Sequence, residues 1–425
     1  MRRKRLHDGS GPRDRRGLDG LSDTGGQPGA AVAVFALAVG QTLAWAGLFY
    51  VFPVLLLPWE DSFGWPRPNL TAAISLALLA SAAGARVAGR LIDKGLGAPM
   101  MAGAAALGGL GMIALGSVQT LCQFYAGWIW IGLMMAGCLY EPCFAILTRA
   151  RGMAARRPIV VITLVAGFAS TVSFPVTHLL TQAVGWEQAL RLIGAGVIVL
   201  AAPLLWFGVR GIEAGGIEAP GQAAPSRPEL SGGAARRRVF WLIALCFACV
   251  AILHGAVLQH LLPYLAEQDH AEGFGIFVAS LIGPMQVAGR LVLTVTARRI
   301  SLHAMTMLVF VLMIGSALTL LVFGWAEAGA LVFVLAFGSA YGIVSILRPL
   351  VARAMLGGVN FGATSGALSA VYLVGAAAAP WLGALVWAVA GYGVMLAGCA
   401  ALALAGALFY VMATRRAGKP GAATG

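Results

Sequence analysis

Val87-Ala88-Gly89-Arg90-Leu91-Ile92-Asp93-Lys94-Gly95-Leu96-Gly97 closes one apolar run of this sequence and leads into the next. Its first five residues return letter for letter at Val287 to Leu291. Five letters decide little in a chain so rich in Ala and Gly, but other pairs keep nearly the same offset. Gly137-x-x-Tyr140 returns as Gly338-x-x-Tyr341, and Gly167-x-x-Ser170-x-Val172 as Gly366-x-x-Ser369-x-Val371. Pro53 in the first apolar segment of one half answers Pro263 in the other. Weak internal symmetry of this kind marks membrane folds assembled from duplicated helix bundles.

Composition points to the same solvent. The 425 residues are 60% hydrophobic and 11% charged, with a mean hydropathy of +0.86. Soluble domains carry about 25% charged residues, so this chain cannot cover itself with a water-compatible surface. The net charge of +13 is not a nucleic-acid signal, because the basic residues form no patch interleaved with aromatics. All six cysteines sit in apolar runs. Cys246-x-x-Cys249 has metal spacing but no second pair or acidic cluster beside it, so the six read as packing residues. No cofactor and no metal site is expected.

Twelve apolar runs follow the first 30 residues, each near the ~20 that a membrane-crossing helix needs. They fall at about 31–57, 70–90, 99–118, 121–147, 158–182, 188–209, 239–264, 273–296, 302–323, 328–347, 361–386 and 391–413. The fold class expected is an all-α integral membrane protein of 12 transmembrane helices in two pseudo-symmetric six-helix bundles. Residues 1–29, polar and without an apolar face, are expected to be a disordered tail. The bundles occupy 30–210 and 239–413, a Gly- and Pro-rich linker spans 211–238, and a tail covers 414–425.

Charge sets the orientation. Of the 29 Lys and Arg, only Arg67 and Arg191 fall on the outer side, and Arg86, Arg90 and Arg290 lie in helices. All the others gather in the tails, the linker and the loops of one face. The opposite loops carry Glu60, Asp61, Glu187, Glu267, Asp269 and Glu272. So strong a bias places both termini in the cytoplasm. Trp59, Trp65, Trp186, Trp325 and Trp387 fit an aromatic belt at the outer surface. The Arg-heavy tails and short loops suggest a bacterial inner membrane.

Twelve helices in two halves, with Gly89-Arg90-Leu91-Ile92-Asp93-Lys94-Gly95-Leu96-Gly97 between the second and third, resemble the major facilitator superfamily of secondary transporters. The resemblance covers residues 30–413. The family's pattern there ends in a basic residue, which Ala98-Pro99 replaces here, and the second-half copy keeps Gly289 and Arg290 but lacks the acid. The resemblance implies a gating motif built on Gly89, Arg90, Asp93 and Gly97, with Gly289 and Arg290 as its remnant. It implies that Asp93 faces Arg149 and the helix start after Asn360. A helix N-terminus favours a carboxylate by ~0.3–1 kcal/mol, the size of a reversible latch. Gly89 and Gly97 would allow the tight turn and close helix approach.

Ionisable groups at membrane depth are functional candidates by default. Glu141 precedes Arg149 by eight residues and Arg86 precedes Lys94 by eight, which puts both about 12 Å inside the cytoplasmic end. The two are expected to pair. Their counterparts Gln286 and Gly342 lose both charges together. The pair reads either as a structural tie or as a coupling device in which Glu141 takes up a proton and Arg86 is freed for an anion. Helices 1 and 7 line the central cavity of the family, so Gln41, Trp45, Tyr50, His254 and Gln259 join the candidates. Tyr140 and Tyr341, related by the repeat, would flank the substrate, and His260 would sit at the outer mouth.

The function expected is transport of a small solute by alternating access, coupled to protons as a symport, with a small organic anion favoured. The stretch from Ser280 to Arg290 is similar to monocarboxylate porters, although Gln286 stands near their usual acid. Drug efflux is the alternative: helix 5 has Gly167 and Phe174-Pro175, fragments of the antiporter motif. A ligand receptor without flux is the second alternative. A membrane enzyme is not expected, for no nucleophile–base pair stands at helical spacing, and no nucleotide motif indicates ATP. The partners expected are the small-molecule substrate, the lipid bilayer and the proton. No nucleic acid is expected, and the protein should be a monomer.

Overall fold

Lipid offers the backbone no hydrogen-bond partners, so apolar runs of membrane length fold as helices. The structure, a computed structural model, describes residues 28–214, 234–296, 299–357 and 361–417. Most of the expected N-terminal tail, most of the linker and the end of the C-terminal tail lie outside the described residues. Among the described residues there is no strand, and ten helical segments are long and apolar enough to cross a membrane. Two of them are double length, 59 residues over Arg156–Ala214 and 53 over Thr364–Arg416. At 1.5 Å per residue each would run to roughly 80–90 Å against ~30 Å of hydrocarbon, so each must reverse. Each contains one residue off helical geometry, Gly185 (φ 80°, ψ 160°) and Gly391 (φ 76°, ψ 176°). A positive φ of this size favours glycine. Counted as two crossings each, the ten segments make twelve.

The two breaks are structural twins. An aromatic residue follows each glycine and turns back to the preceding bundle partner. Trp186 donates from Nε1 to Ser62 Oγ at 3.0 Å, at the end of the first span. Tyr392 takes the same place in the second half, 3.3 Å from His260 Nδ1 in the seventh span. The sequence repeat therefore extends to a feature that no letter match announces.

The first span is α1 (Pro28–Leu48) and α2 (Val51–Phe63). Pro53 cannot bond the Phe49 carbonyl and its ring displaces it, so the helix steps at Phe49 and Tyr50, whose N–H groups both turn to the Trp45 carbonyl. Then come α3 (Arg67–Asp93), α4 (Gly97–Leu115), α5 (Leu121–Cys138), α6 (Tyr140–Arg151), α7 (Arg156–Ala166), α8 (Ala169–Gly196) and α9 (Ala202–Ala214). The second half contains α10 (Ala234–Glu267), α11 (Glu272–Ser280), α12 (Ile282–Thr296), α13 (Leu302–Phe323), α14 (Glu327–Leu356) and α15 (Phe361–Ala417).

The packing repeats as well. In the first half α3 lies on α5 and α1 on α9; in the second α12 lies on α14 and α10 on α15. Buried apolar residues fall into two clusters, one from Ala33 to Ile212, the other from Val239 to Ala413 with Val54 and Phe174 added. The halves meet where α3 packs on α15, α8 on α11 and α12, and α2 on α10.

Three expectations change. The helix expected over 328–347 continues to Leu356, so Arg348 and Arg353 belong to a helix and not to a loop. Trp59 and Trp186 are buried in the first-half core and form no belt, because each packs edge-on against Phe52 or Phe63. Gly89 faces open space; the turn after α3 is made by Gly95 at φ 76°. Gly97 does serve close approach, since a Cβ there would meet Ile146 and Glu213.

Candidate functional site

The fourth span breaks at Leu139 (φ −86°, ψ −157°), between α5 and α6. Pro142 has no N–H for the Cys138 carbonyl and its ring clashes with it. Gln41 of α1 repairs the loss, donating from Nε2 to Cys138 O at 2.7 Å. The break swings Tyr140 into the space beside α1, where its ring lies 5.0 Å from Trp45 and stacks on Phe144.

From the second half, Tyr341 of α14 stacks flat on His254 of α10 and shares a 2.8 Å hydrogen bond with Tyr372 of α15. The Arg348 guanidinium lies 4.3 Å over the Tyr372 ring. Arg290 of α12 donates from Nη1 to the Thr163 carbonyl of the first half at 2.7 Å and from Nε to the Gly342 carbonyl at 3.4 Å. It acts electrostatically on the hydroxyls of Tyr50 and Tyr140, as Arg348 does on those of Tyr341 and Tyr372. Four tyrosines and two arginines thus form one network across the two halves. Neither arginine makes a salt bridge among the described residues. Gln41, Trp45, His254 and Gln259 each keep one buried polar atom without a hydrogen-bond partner among the described residues.

The end of the molecule that the charge bias leads one to expect outside is closed by Arg67, only 6% exposed. It pairs with Glu60 at 2.8 Å in its own half. It reaches into the other half to Glu267 at 3.3 Å and to the Tyr392 hydroxyl at 2.8 Å. The guanidinium lies 3.8 Å over the Trp387 ring, and Trp387 itself donates to Glu267 at 2.9 Å. His260, fully buried, bridges Tyr392 and the Pro380 carbonyl. A second tie joins α8 to α11, where Glu272 accepts from Gln182 at 3.1 Å and lies 3.1 Å from His178.

At the opposite end Arg149 does meet Asp93, but through the backbone: Nη2 donates to the Asp93 carbonyl oxygen at 3.0 Å. The Asp93 carboxylate is exposed, on a groove of about 410 Å³ that Gly89, Ile92, Ala145 and Arg149 also line. The helix start proposed to face it, after Asn360, lies outside the described residues. Glu213 of α9, which sequence reasoning passed over, acts electrostatically on Arg149. Arg90 is exposed beside this turn.

The structure brings together Gln41, Trp45, Tyr140, His254 and Tyr341, and adds Arg290, which the motif reading had placed in a gate. The expected Arg86–Glu141 pair does not form. Both side chains are exposed and share no salt bridge. Glu141 is not deep within a helix either, because the break at Leu139 makes it the first-turn acid of α6, where the helix dipole favours it. Gln259 is buried without entering the tyrosine network. Tyr50 joins that network as the sequence led one to expect, whereas Tyr372 and Arg348 were missed. The apolar residues that continue past 347 were the available signal for Arg348. His260 belongs to the outer closure and not to an open mouth.

A family model described as Major Facilitator Superfamily matches residues 37–357. No curated protein matches the sequence. Among solved structures, the chain is similar to a bacterial homolog of the human lysosomal transporter Spinster in two inward-facing states. The occupied one aligns with a TM-score of 0.66 and the unoccupied one with 0.67, both at 16% identity over 92% of this chain and 98% of that one. The nucleoside transporter NupG aligns at 13% identity with a TM-score of 0.66, over 90% of this chain and 98% of its own. At these identities the likeness is one of fold.

Proposed function

This chain belongs to the Major Facilitator Superfamily, and we propose that the solute it moves is a small organic anion, carried with protons by alternating access. It is a multi-pass membrane transporter and not an enzyme. One observation carries the substrate class: Arg290 and Arg348, on the two sides of the tyrosine network, make no salt bridge among the described residues. Both are partly buried, a half-buried guanidinium gains from an anionic partner, and its planar fork fits a carboxylate. The orphaned polar atoms of Gln41, Trp45 and His254 support a ligand at the same level, since buried polar groups are normally satisfied.

In this reading the halves 30–210 and 239–413 are six-helix bundles that rock about the tyrosine network. The Arg67 closure holds the outer side shut, which agrees with the inward-facing state of the Spinster homolog, and breaks when the site opens outward. Asp93 and Arg149 work at the cytoplasmic rim, with both termini on that side of a bacterial inner membrane. Glu141, next to Tyr140 in the first turn of α6, is the carboxylate assigned to proton coupling, without Arg86.

Proteoliposomes loaded with labelled solutes under an imposed pH gradient test the reading. Organic anions should accumulate, and Glu141→Gln should abolish gradient-driven accumulation while leaving exchange of labelled for unlabelled anion intact. Movement of cationic dyes in place of anions would overturn the substrate class. Glu141→Gln accumulating at the parental level would remove the proton role.

A further inference from the structure

A cavity of about 580 Å³ opens on the surface between the start of α10 and the end of α15, away from the tyrosine network and from the Asp93 turn. Arg237, Arg238 and Arg416 form one end of it, and Trp241, Leu245 and Met412 the other. All six are exposed. The spacing explains the shape. Arg237, Arg238, Trp241 and Leu245 recur at three, four and seven residues along one face of α10, and Met412 lies four residues before Arg416 along one face of α15. Their neighbours turn inward: Tyr410 and Ala413 are buried in the second-half core, and Arg236 donates to the Leu356 carbonyl at 2.8 Å.

We propose that this cavity binds an anionic phospholipid, the phosphate on the three guanidiniums and one acyl chain along Trp241, Leu245 and Met412. Charge complementarity favours an anion, because three cations converge and no acid lines the cavity among the described residues. The apolar floor favours a lipid over a free anion. Leu245 lies seven residues past Arg238, about 10 Å deeper along the helix, the direction in which a glycerophospholipid passes from headgroup to hydrocarbon. Trp241 stands between the two zones, where an indole suits the interface. Basic pockets between spans on the cytoplasmic side hold anionic headgroups in this way. The inference rests on the orientation given under the proposed function but needs no transport. Its failure would leave the transporter reading intact, and loss of transport would leave the lipid site intact.

The experiment uses the full chain in nanodiscs of phosphatidylcholine containing increasing amounts of phosphatidylglycerol with brominated chains. Quenching is read as the difference between the parent and Trp241→Phe. Half-saturation should come at a phosphatidylglycerol fraction several-fold below that needed with brominated phosphatidylcholine. Each of R237Q, R238Q and R416Q should weaken this preference roughly fivefold, and the triple variant should erase it. A control triple of Arg156→Gln, Arg157→Gln and Arg353→Gln, exposed arginines elsewhere on the same face, should leave it unchanged. Equal loss in the control would overturn the proposal, because it would reduce the effect to surface potential. Equal quenching by both lipids, no quenching of Trp241 by either, or displacement of phosphatidylglycerol by inorganic phosphate would overturn it too.

Discussion

Gln41 and Cys138, 97 positions apart, are joined by a 2.7 Å hydrogen bond from Gln41 Nε2 to the Cys138 carbonyl oxygen. Pro142 makes the bond necessary, for it removes the N–H that would otherwise serve that carbonyl. The same local fault breaks the fourth span and delivers Tyr140 to the centre of the molecule. Sequence, packing and site are linked here by one missing proton donor.

That linkage predicts a double-mutant cycle. Gln41→Leu should cost about 1 kcal/mol of stability in the parent, the usual worth of a hydrogen bond between membrane helices. In the background of Pro142→Ala, which supplies an N–H at position 142, the same change should cost close to nothing. Thermal unfolding in detergent measures both. Equal costs in the two backgrounds would show that Gln41 does not serve the carbonyl.

Arg67 is the main charged contact between the halves at the outer end, so its loss should shift the conformational balance. Truncating one partner of a buried, hydrogen-bonded charge pair costs about 2 kcal/mol or more, roughly a thirtyfold change in an equilibrium. Arg67→Gln should therefore populate a state with the outer ends apart. Spin labels at Gln119 and Glu327, both exposed on that side, should show the longer distance. Arg67→Lys keeps the charge but loses the fork and should give an intermediate population.

How much of this was legible in the sequence follows from the range of each signal. Hydropathy is local, and it gave the spans; the duplicated letters gave the two halves and the pairing of Tyr140 with Tyr341. The outer closure was not legible, because the partners of Arg67 lie 200 and 325 positions away and read as ordinary loop charges or aromatics. Arg86 and Glu141 misled for a different reason. Counting residues from the helix ends fixes depth but not rotation about the axis, and at equal depth two side chains can face opposite ways. The proline break also altered the rotation of Glu141, an effect that uniform helical spacing does not contain.

The repeated Val-Ala-Gly-Arg-Leu makes the same point testable with its glycines. A Cβ on Gly289 would overlap the Ser339 backbone of α14, whereas one on Gly89 would meet nothing within 4 Å. Gly289→Ala should destabilise by about 1–3 kcal/mol through overpacking. Gly89→Ala should be neutral or gain up to ~1 kcal/mol from helix propensity. Unfolding temperatures of the two variants, identical as letters in identical pentapeptides, should thus move in different directions. Equal destabilisation would place a helix against Gly89 that the packing does not show.

Arg290 offers the sharpest separation of the substrate reading from a structural one. Its side chain is already held by two backbone carbonyls, so the anion it meets adds charge-assisted bonds to a preset fork. Such bonds are worth ~1.5–3 kcal/mol, and Arg290→Gln should raise the KM for an organic anion roughly 10- to 100-fold. Arg290→Lys keeps the charge but not the planar geometry and should recover only part of the loss. Arg348→Gln should act in the same direction, since its guanidinium lies over Tyr372, the hydrogen-bond partner of Tyr341. Arg86→Gln is the contrast, an exposed arginine without a salt bridge among the described residues, and should leave KM unchanged. A structural arginine would instead lower the amount of folded transporter at unchanged KM. A cationic solute would be carried better once either central guanidinium is gone, and that result would reverse the assignment of charge.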